Sequence, residues 1–242
     1  MVQGEPPDLV PLARGLVTAA GGCPRPRVLA LHKPRGVLCS TVAERGAVPV
    51  TDLLPEGARG LFPVGRLDKE SEGLLLFCDD ARWAQRLMDP GGLAKSYLVT
   101  VEGNPDEADL LPMRRGGSVV EGRRLEPVEV TRAGKAPRGG TRFRVVLHEG
   151  VNREIRRLFH AAGHRVRRLV RVAVGPVALE GLGPGEAREL TGAEVAALVS
   201  ALPVSPSGPP RAGAAGASGG SPSPPGRRRP GAGGPPRRRA GR

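Results

Sequence analysis

The sequence predicts an α+β fold built on a mainly antiparallel sheet. Segments with strand character outnumber segments with helix character. The two kinds of segment do not alternate regularly along the chain, as they would in a doubly wound α/β protein. The hydrophobic fraction of 39 % is enough for a packed core, although Trp, Tyr and Phe are rare. The core must therefore be built from Leu, Val and Ala.

Local patterns predict each element in turn. An unbroken apolar run indicates a buried strand, alternation indicates a half-buried strand, and capping residues indicate helix ends. In chain order, we predict strands at residues 28–31, 74–78, 95–102, 124–131, 142–148 and 167–179. We predict helices at Ala81–Met88, in the sequence DEADLLPMRRG, from an Asn152 cap to Gly163, and at residues 193–202, where Thr191 and Glu194 form a capping box.

The composition of the chain changes sharply near Leu202. From residue 203 to residue 242, 20 of 40 residues are Gly or Pro, eight are Arg and none is acidic. Such a segment cannot bury enough apolar surface to offset its ordering entropy, so we predict a disordered basic tail. The predicted organisation is an irregular N-terminal extension at residues 1–26, one folded domain at residues 27–202, and the tail.

The net charge of +13 favours an anionic partner. Nucleic acid is the first candidate and an anionic membrane surface is the second. The tail holds +8 of this charge and leaves +5 for residues 1–202, so the tail and the folded domain are separate basic signals. No apolar run approaches the ~18 residues that a membrane span needs.

Several common chemistries are not indicated. The three cysteines are far apart and form no C-x-x-C pair, which argues against a disulfide framework or a cysteine zinc site and fits a reducing cytoplasm. His160 and His164 are four residues apart, but no H-E-x-x-H motif accompanies them, so we predict no metal site. There is no Walker A loop, G-x-G-x-x-G fingerprint or G-x-S-x-G elbow. An enzyme here is therefore expected to work without nucleotide or flavin.

Asp68 is the first candidate for chemistry. It stands between Arg66 and Lys69, just before a strongly apolar run. Such an acid is most often part of a surface ion pair. The alternative is a catalytic carboxylate, because loops held on rigid strands often carry catalytic groups and neighbouring cations keep a carboxylate ionised. Tyr97, the single tyrosine, is either a half-buried strand aromatic or a flat face for a nucleobase with a hydroxyl for proton transfer.

Two segments concentrate arginines. In NREIRRLFHAAG, Arg153 shares a helix face with Arg156 and Arg157. This face is either simply solvated or grips phosphates, with one arginine turned toward a carboxylate. In GHRVRRLVRVAVGP, basic residues that include Arg171 interleave with apolar ones. That pattern suits an ordinary half-exposed strand or an edge that faces phosphates.

Four motifs follow one another in order: LHKPRGVLCS, GRLDKESEGLLLFCDD, KSYLVTVEG and EGVNREIRRLFHAAGHRVRRLVRVAVGP. Together they resemble the RsuA/RluB/RluE/RluF group of ribosomal RNA pseudouridine synthases over residues 27–190. The SEGLL variant and the short N-terminal extension look most like the RluE branch. The resemblance implies the pseudouridine synthase fold, a mixed and mostly antiparallel sheet in two halves with flanking helices and a central cleft.

The resemblance also implies an activity, the isomerisation of a specific uridine in ribosomal RNA to pseudouridine. The favoured substrate is the ribosomal RNA of the large subunit. It implies no cofactor and no metal. Asp68 matches the catalytic aspartate, which attacks the flipped-out nucleotide at the sugar or the uracil ring. Tyr97 matches the tyrosine that stacks on the uracil, and Arg156 matches the basic residue paired with the aspartate. A uridine inside folded RNA must be extruded before such a group can reach it.

Further contacts to RNA are implied by the same motifs. Leu169 matches the apolar residue against the base, and Arg66 matches a residue near the flipped nucleotide. The other predicted RNA-binding residues are Lys33, Lys95, Arg153, Arg157 and Arg171. One position departs from the family, since Val151 stands where relatives often have Lys or Arg, and a contact to RNA is lost if that position binds.

The implied partner is ribosomal RNA or a pre-ribosomal subunit, and we predict a cytoplasmic monomer. Two other functions stay open. The first is a binding module that kept the fold without the chemistry, which replacement of the candidate catalytic residues would favour. The second is a non-specific RNA binder whose function resides in the tail, and deletion of residues 203–242 would discriminate it.

Overall fold

The computed structural model describes residues 26–40, 46–58, 60–89, 92–117, 119–120, 122–137 and 139–202. The chain divides into two units, Met1–Val204 and Ser205–Arg242, and every described residue belongs to the first unit. The predicted N-terminal extension, apart from Pro26, and the predicted basic tail lie outside the described residues. Within the described ranges, no helix is long and apolar enough to cross a membrane.

The described part of the chain contains eleven strands and four α-helices. The strands are β1 (Val28–Lys33), β2 (Phe62–Val64), β3 (Glu72–Cys78), β4 (Lys95–Val101), β5 (Val119–Val120), β6 (Arg123–Arg124), β7 (Glu129–Lys135), β8 (Thr141–Leu147), β9 (Val166–Val174), β10 (Val177–Ala178) and β11 (Ala187–Glu189). The helices are α1 (Ala81–Met88), α2 (Glu107–Arg115), α3 (Glu154–Ala161) and α4 (Gly192–Ser200). Two short 3₁₀ helices, Val50–Leu53 and Glu56–Ala58, precede β2.

Nine of the described strands form one mixed sheet in the order β11-β1-β3-β9-β4-β8-β7, with β2 beside β3 and β10 beside β9. Every pair in it is antiparallel except β3 with β9, which run parallel where Glu72 faces Val170 and Gly73 faces Arg171. The predicted α+β class and mostly antiparallel sheet are confirmed. The single parallel pair joins the half of the sheet around β1 and β3 to the half formed by β9, β4, β8 and β7.

Two hydrophobic clusters cover the sheet. Successive side chains of a strand point to opposite faces. In β3, Leu75 and Phe77 therefore belong to the first cluster, with α2 and α3, whereas Leu74, Leu76 and Cys78 belong to the second, with α1 and α4. Because each face of β3 is covered, its apolar sequence is unbroken rather than alternating. A strand buried on both faces is a rigid support for the loop that precedes it.

The predicted helix ends are partly confirmed. Helix α1 has its predicted bounds, since the Asp80 carboxylate accepts hydrogen bonds from two N–H groups of the first turn. The capping box of Thr191 and Glu194 is present at the start of α4. The prediction that Asn152 caps α3 is wrong, because the N-cap residue is Arg153, in the left-handed conformation (φ 53°, ψ 27°) and without a side-chain cap.

The predicted strand at residues 124–131 is wrong in its bounds. Arg123–Arg124 pairs with β5 in a separate two-stranded sheet, and the strand of the main sheet begins at Glu129. The strand predicted at residues 167–179 is likewise interrupted, because β9 ends at Val174 and the chain turns at Gly175 before β10. Short strands β2 and β11 were not predicted.

Candidate active site

A cavity of about 640 Å³ opens where the two halves of the sheet meet. Both strands of the parallel pair contribute to its wall, as do the loop before β3 and the loop before α3. Seven of the ten predicted site residues line it: Arg66, Asp68, Lys95, Tyr97, Arg153, Leu169 and Arg171. Residues separated by about a hundred positions in the chain are therefore brought to one concave surface of a size typical of ligand pockets.

The loop that carries Asp68 is held at successive backbone atoms by groups from elsewhere in the chain. The Leu67 N–H donates to Cys39 Sγ (3.2 Å), the Gly36 N–H to Lys69 O (2.8 Å), Arg156 Nη2 to Glu70 O (3.0 Å), and Lys33 Nζ to Ser71 O (2.9 Å). The Ser71 N–H closes the loop on Asp68 O (3.0 Å). A loop tethered in this way holds its carboxylate in one place before any substrate arrives.

Lys33 requires a correction. It was predicted to contact RNA, but its side chain is fully buried, and Nζ donates to Pro34 O and Ser71 O, both at 2.9 Å. Burial lowers the pKa of the Lys33 ammonium, and the electrostatic influence of Cys39, Glu72, Asp68 and Glu70 partly opposes that effect. The lysine therefore supports the Asp68 loop from beneath instead of presenting a charge to the solvent.

The ion-pair partner of Asp68 also differs from the prediction. Asp68 Oδ2 lies 3.7 Å from Arg153 Nη1, and 32 % of the Asp68 side chain is exposed. Arg156, the predicted partner, donates instead to Val166 O (3.2 Å) and Glu70 O (3.0 Å). Burial, and after it the charge of Arg153, lower the pKa of the Arg156 guanidinium, whereas the charge of Asp68 raises it. Arg153 thus contacts the carboxylate, and Arg156 lies near enough to interact with it through its charge.

The left-handed backbone of Arg153 places it at the turn into α3. Among the described residues it is the one non-glycine residue with a positive φ. A side chain other than glycine costs about 1–2 kcal/mol in this conformation, and such residues cluster at functional sites. The Asn152 position, which the sequence favours as the cap, is consequently one residue too early.

Tyr97 and Leu169 form an apolar part of the wall. Both are nearly buried, with 8 % and 6 % of their surface exposed, and both line the cavity. Tyr97 faces Arg171 on β9, next to a register shift between Ser96 and Tyr97 in the pairing of β4 with β9. A β-bulge re-aims side chains and is common beside active sites. The tyrosine is therefore a buried strand aromatic that also lines the cavity, and its role against a nucleobase stays a prediction.

One buried cation, Arg171, and one half-buried cation, Lys95, complete the inner wall. Arg171 is 4 % exposed, and its Nε donates to Leu74 O (2.7 Å), which ties β9 to β3. Lys95 Nζ donates to Leu93 O (3.3 Å). Burial lowers the pKa of the Lys95 ammonium, as does the charge of Arg171, whereas the charge of Glu154 raises it. The positive charge of this wall suits an anionic ligand.

Gly73 is a structural requirement that the sequence did not single out. Its φ is +109°, and a Cβ at this position would lie 2.3 Å from Arg171 O and 2.6 Å from Arg171 N. The two parallel strands can approach this closely because glycine has no side chain. The second glycine of the GRLDKESEG motif thus fixes how β3 and β9, and with them Asp68 and Arg171, sit side by side.

Three predicted residues, Lys33, Arg156 and Arg157, do not line this cavity. Arg66 is exposed on its wall. Arg156 lines a neighbouring cavity, and Arg157 is half-buried and is not among the residues lining either cavity. Sequence reasoning missed Cys39 and Glu154, which also line the first cavity. The position of Cys39 inside the LHKPRGVLCS motif was the available signal. In the described ranges no group of three or more His, Cys, Asp or Glu side chains could hold a metal ion.

The fold and the cavity define the class of protein once known families are compared. The family model of RNA pseudouridylate synthases matches residues 27–161, which is more than half of the chain. The chain belongs to the RNA pseudouridylate synthase family, and it is an enzyme of that class. The family predicted from the four motifs is confirmed.

Two curated relatives and one solved structure are similar to this chain over about 70 % of its length. The chain is 36 % identical to ribosomal large subunit pseudouridine synthase B of Bacillus subtilis (strain 168) over 166 residues, which cover 68 % of each chain. It is 40 % identical to an uncharacterised RNA pseudouridine synthase of Mycobacterium tuberculosis (strain H37Rv) over 178 residues, covering 72 % of this chain and 69 % of that one. A crystal structure of a pseudouridylate synthase superposes with a TM-score of 0.63 at 28 % identity, covering 72 % of this chain and 74 % of that one. The assignment to the RluE branch stays a prediction.

Proposed function

We propose that this protein isomerises a specific uridine of large-subunit ribosomal RNA to pseudouridine, with Asp68 as the nucleophile. The observation that carries the proposal is the position of the Asp68 carboxylate, which stands in a cavity of about 640 Å³ with Tyr97, Leu169 and Arg153 in the same wall. The name of the Bacillus subtilis relative supports ribosomal RNA of the large subunit as the substrate. The folded catalytic domain is taken to be residues 27–202.

The reaction needs one nucleophile and two proton movements. The flipped-out uridine enters the cavity, and the Asp68 carboxylate attacks it at the sugar or at the uracil ring. The C1′–N1 bond breaks, the uracil rotates, and a C1′–C5 bond forms. The proton on C5 is lost and N1 gains a proton, so the product has the atoms and charge of the substrate. Asp68 is released as a carboxylate.

The residues around Asp68 suit these steps. Arg153 at 3.7 Å and the nearby Arg156 place positive charge beside the carboxylate that makes the attack. Tyr97 and Leu169 offer an apolar surface against which the detached uracil can turn without leaving. The Tyr97 hydroxyl is the candidate for moving a proton.

We further propose that the substrate is ribosomal RNA or a pre-ribosomal subunit, that the enzyme acts in the cytoplasm as a monomer, and that it belongs to the RluE branch. Free Cys39 and Cys78 support a reducing environment. Arg66, Lys95, Arg153, Leu169 and Arg171 are proposed to contact the extruded nucleotide, since all of them line the cavity.

Mapping pseudouridines in ribosomal RNA from cells with and without the gene tests this function. We expect one large-subunit position to change from pseudouridine to uridine when the gene is deleted, and to return when the wild-type gene is restored. Identical maps in the two strains would overturn the proposal. A change confined to the small subunit would overturn the large-subunit assignment.

A further inference from the structure

A second cavity, of about 520 Å³, shares the wall residue Arg153 with the first. Arg153 lines both cavities. The charged groups of the second cavity are five arginines against two glutamates: Arg35, Arg153, Arg156, Arg165 and Arg167 against Glu70 and Glu102. His160 and His164 complete its polar wall. The reaction described above does not require most of these residues.

The two glutamates do not neutralise this cavity. Glu70 is paired with Arg35 at 2.5 Å, and Glu102 lies 3.9 Å from Arg165. Arg156 donates its hydrogen bonds to backbone carbonyls, so no hydrogen-bonded carboxylate compensates its charge within the described structure. The excess of positive charge is therefore directed at the cavity, where guanidinium groups can bind phosphate oxygens in pairs.

His160 and His164 do not indicate a metal site in this cavity. His164 Nε2 is hydrogen-bonded to Asp109 Oδ2 at 3.0 Å, and Asp109 also belongs to the capping box of α2. His164 is therefore already hydrogen-bonded to a residue that begins helix α2. Among the described residues, no cluster that could hold a metal ion includes either histidine.

We propose that this second cavity binds the phosphate backbone of the substrate RNA next to the flipped-out nucleotide. The inference rests on the proposed function, because it assumes that one RNA strand occupies both cavities. The uridine of that strand lies in the first cavity and its neighbouring phosphates lie in the second. Arg153 borders both cavities, so an RNA strand whose uridine occupies the Asp68 cavity can continue past this residue into the second. The arginines of this cavity, which outnumber its glutamates five to two, supply the sequence-independent part of RNA binding.

The test measures the salt dependence of binding to fluorescein-labelled large-subunit ribosomal RNA. Removing phosphate contacts lowers the slope of log Kd against log salt concentration by about 0.7–0.9 per contact. We expect the double variant Arg165→Gln/Arg167→Gln to lower this slope by about 1–2 and to weaken binding about tenfold at 0.1 M salt. The single variant Arg165→Gln changes a side chain that is 81 % exposed, so it keeps the fold intact and is expected to lower the slope by about 1.

The matched control removes the same charge elsewhere. Arg115 in α2 and Arg124 in β6 are exposed and line neither cavity. Arg115→Gln/Arg124→Gln is expected to keep the wild-type slope. Equal slopes for the two double variants would overturn the proposal. Pseudouridine formation by the wild-type protein on the same RNA distinguishes failure of the proposed function from failure of this inference. No pseudouridine would contradict the proposed function. Pseudouridine formation with unchanged slopes would contradict only the phosphate-binding role of the second cavity.

Discussion

Arg153 Nη1 lies 3.7 Å from Asp68 Oδ2, and Arg153 makes this contact from a left-handed backbone conformation at the start of α3. A strained residue that touches a candidate nucleophile indicates that local stability has been given up for the position of a side chain. The same arginine borders both cavities, so the contact lies where the proposed paths of the extruded base and of the RNA backbone meet.

Arg153→Gly removes both the backbone strain at this position and the positive charge beside Asp68, and two measurements report on them separately. Glycine adopts a positive φ freely but is more flexible in the unfolded chain, so the free energy of unfolding should stay within about 1 kcal/mol of wild type. Isomerisation should fall about tenfold or more, because the carboxylate loses its contact cation. Urea unfolding and pseudouridine formation measure the two quantities. A variant as active as wild type would show that Arg156 alone supports Asp68.

Lys33→Met tests the support beneath the Asp68 loop. The substitution keeps the length of the side chain but leaves Pro34 O and Ser71 O without the ammonium. We expect a loss of about 1–3 kcal/mol in the free energy of unfolding and a lower kcat at saturating RNA, since the loop loosens. Lys69→Met, on an exposed side chain of the same loop, is the control and should change stability by less than about 0.5 kcal/mol. A destabilised Lys33 variant with wild-type kcat would limit Lys33 to a folding role.

Gly73→Ala tests the close approach of β3 and β9. The added Cβ would lie 2.3 Å from a backbone oxygen and would also face the cost of φ +109°. We expect a loss of stability above about 3 kcal/mol or failure to fold. Gly134→Ala is a matched control, because its φ is +104° and no atom lies within 4 Å of the added Cβ, so it should cost about 1–2 kcal/mol. Similar losses of stability in the two variants would show that glycine is required at position 73 by its backbone conformation and not by the close contact with Arg171.

Glu194 should make stability depend on acid pH. Hydrogen bonds from the Arg188 side chain lower the pKa of the Glu194 carboxyl from 4.5 to about 2, with help from Thr191 at the helix start. A carboxyl with a lowered pKa in the folded state contributes stability above pH 4.5 and loses it as the pH falls toward 2. Allowing for solvent screening, we expect Glu194→Gln to destabilise by about 1 kcal/mol at pH 7 and by less at pH 3.5. Thermal unfolding at the two pH values checks this, and an equal gap at both would contradict the assignment.

The parts of the fold that the sequence predicted are those with a strong local signal. The apolar run at residues 74–78, the bounds of α1 and the capping box of α4 each depend on neighbours in the chain, and they were located well. Strands β2 and β11 contain three residues each, which is too short for a period to show. Asn152 is a good cap by type, but the contact of Arg153 with a distant loop decides where α3 begins.

The candidate site was predictable in its members more than in its geometry. Motif order pointed to Asp68, Tyr97 and Leu169, and these line one cavity. Which arginine approaches Asp68 depends on the left-handed turn at Arg153, and whether Lys33 faces solvent depends on how β1 packs. Both are results of tertiary structure, which a pattern of residue types does not contain.

Asp68→Asn is the most direct test of the central claim. The amide keeps the shape of the side chain but cannot act as the anionic nucleophile. Pseudouridine formation on large-subunit ribosomal RNA and the Kd for the same RNA should be measured together for this variant and the wild type. We predict no detectable isomerisation by Asp68→Asn and a Kd within about threefold of wild type, since Asp68 does not contribute to phosphate binding. Isomerisation at the wild-type rate by Asp68→Asn would contradict the assignment of Asp68 as the nucleophile.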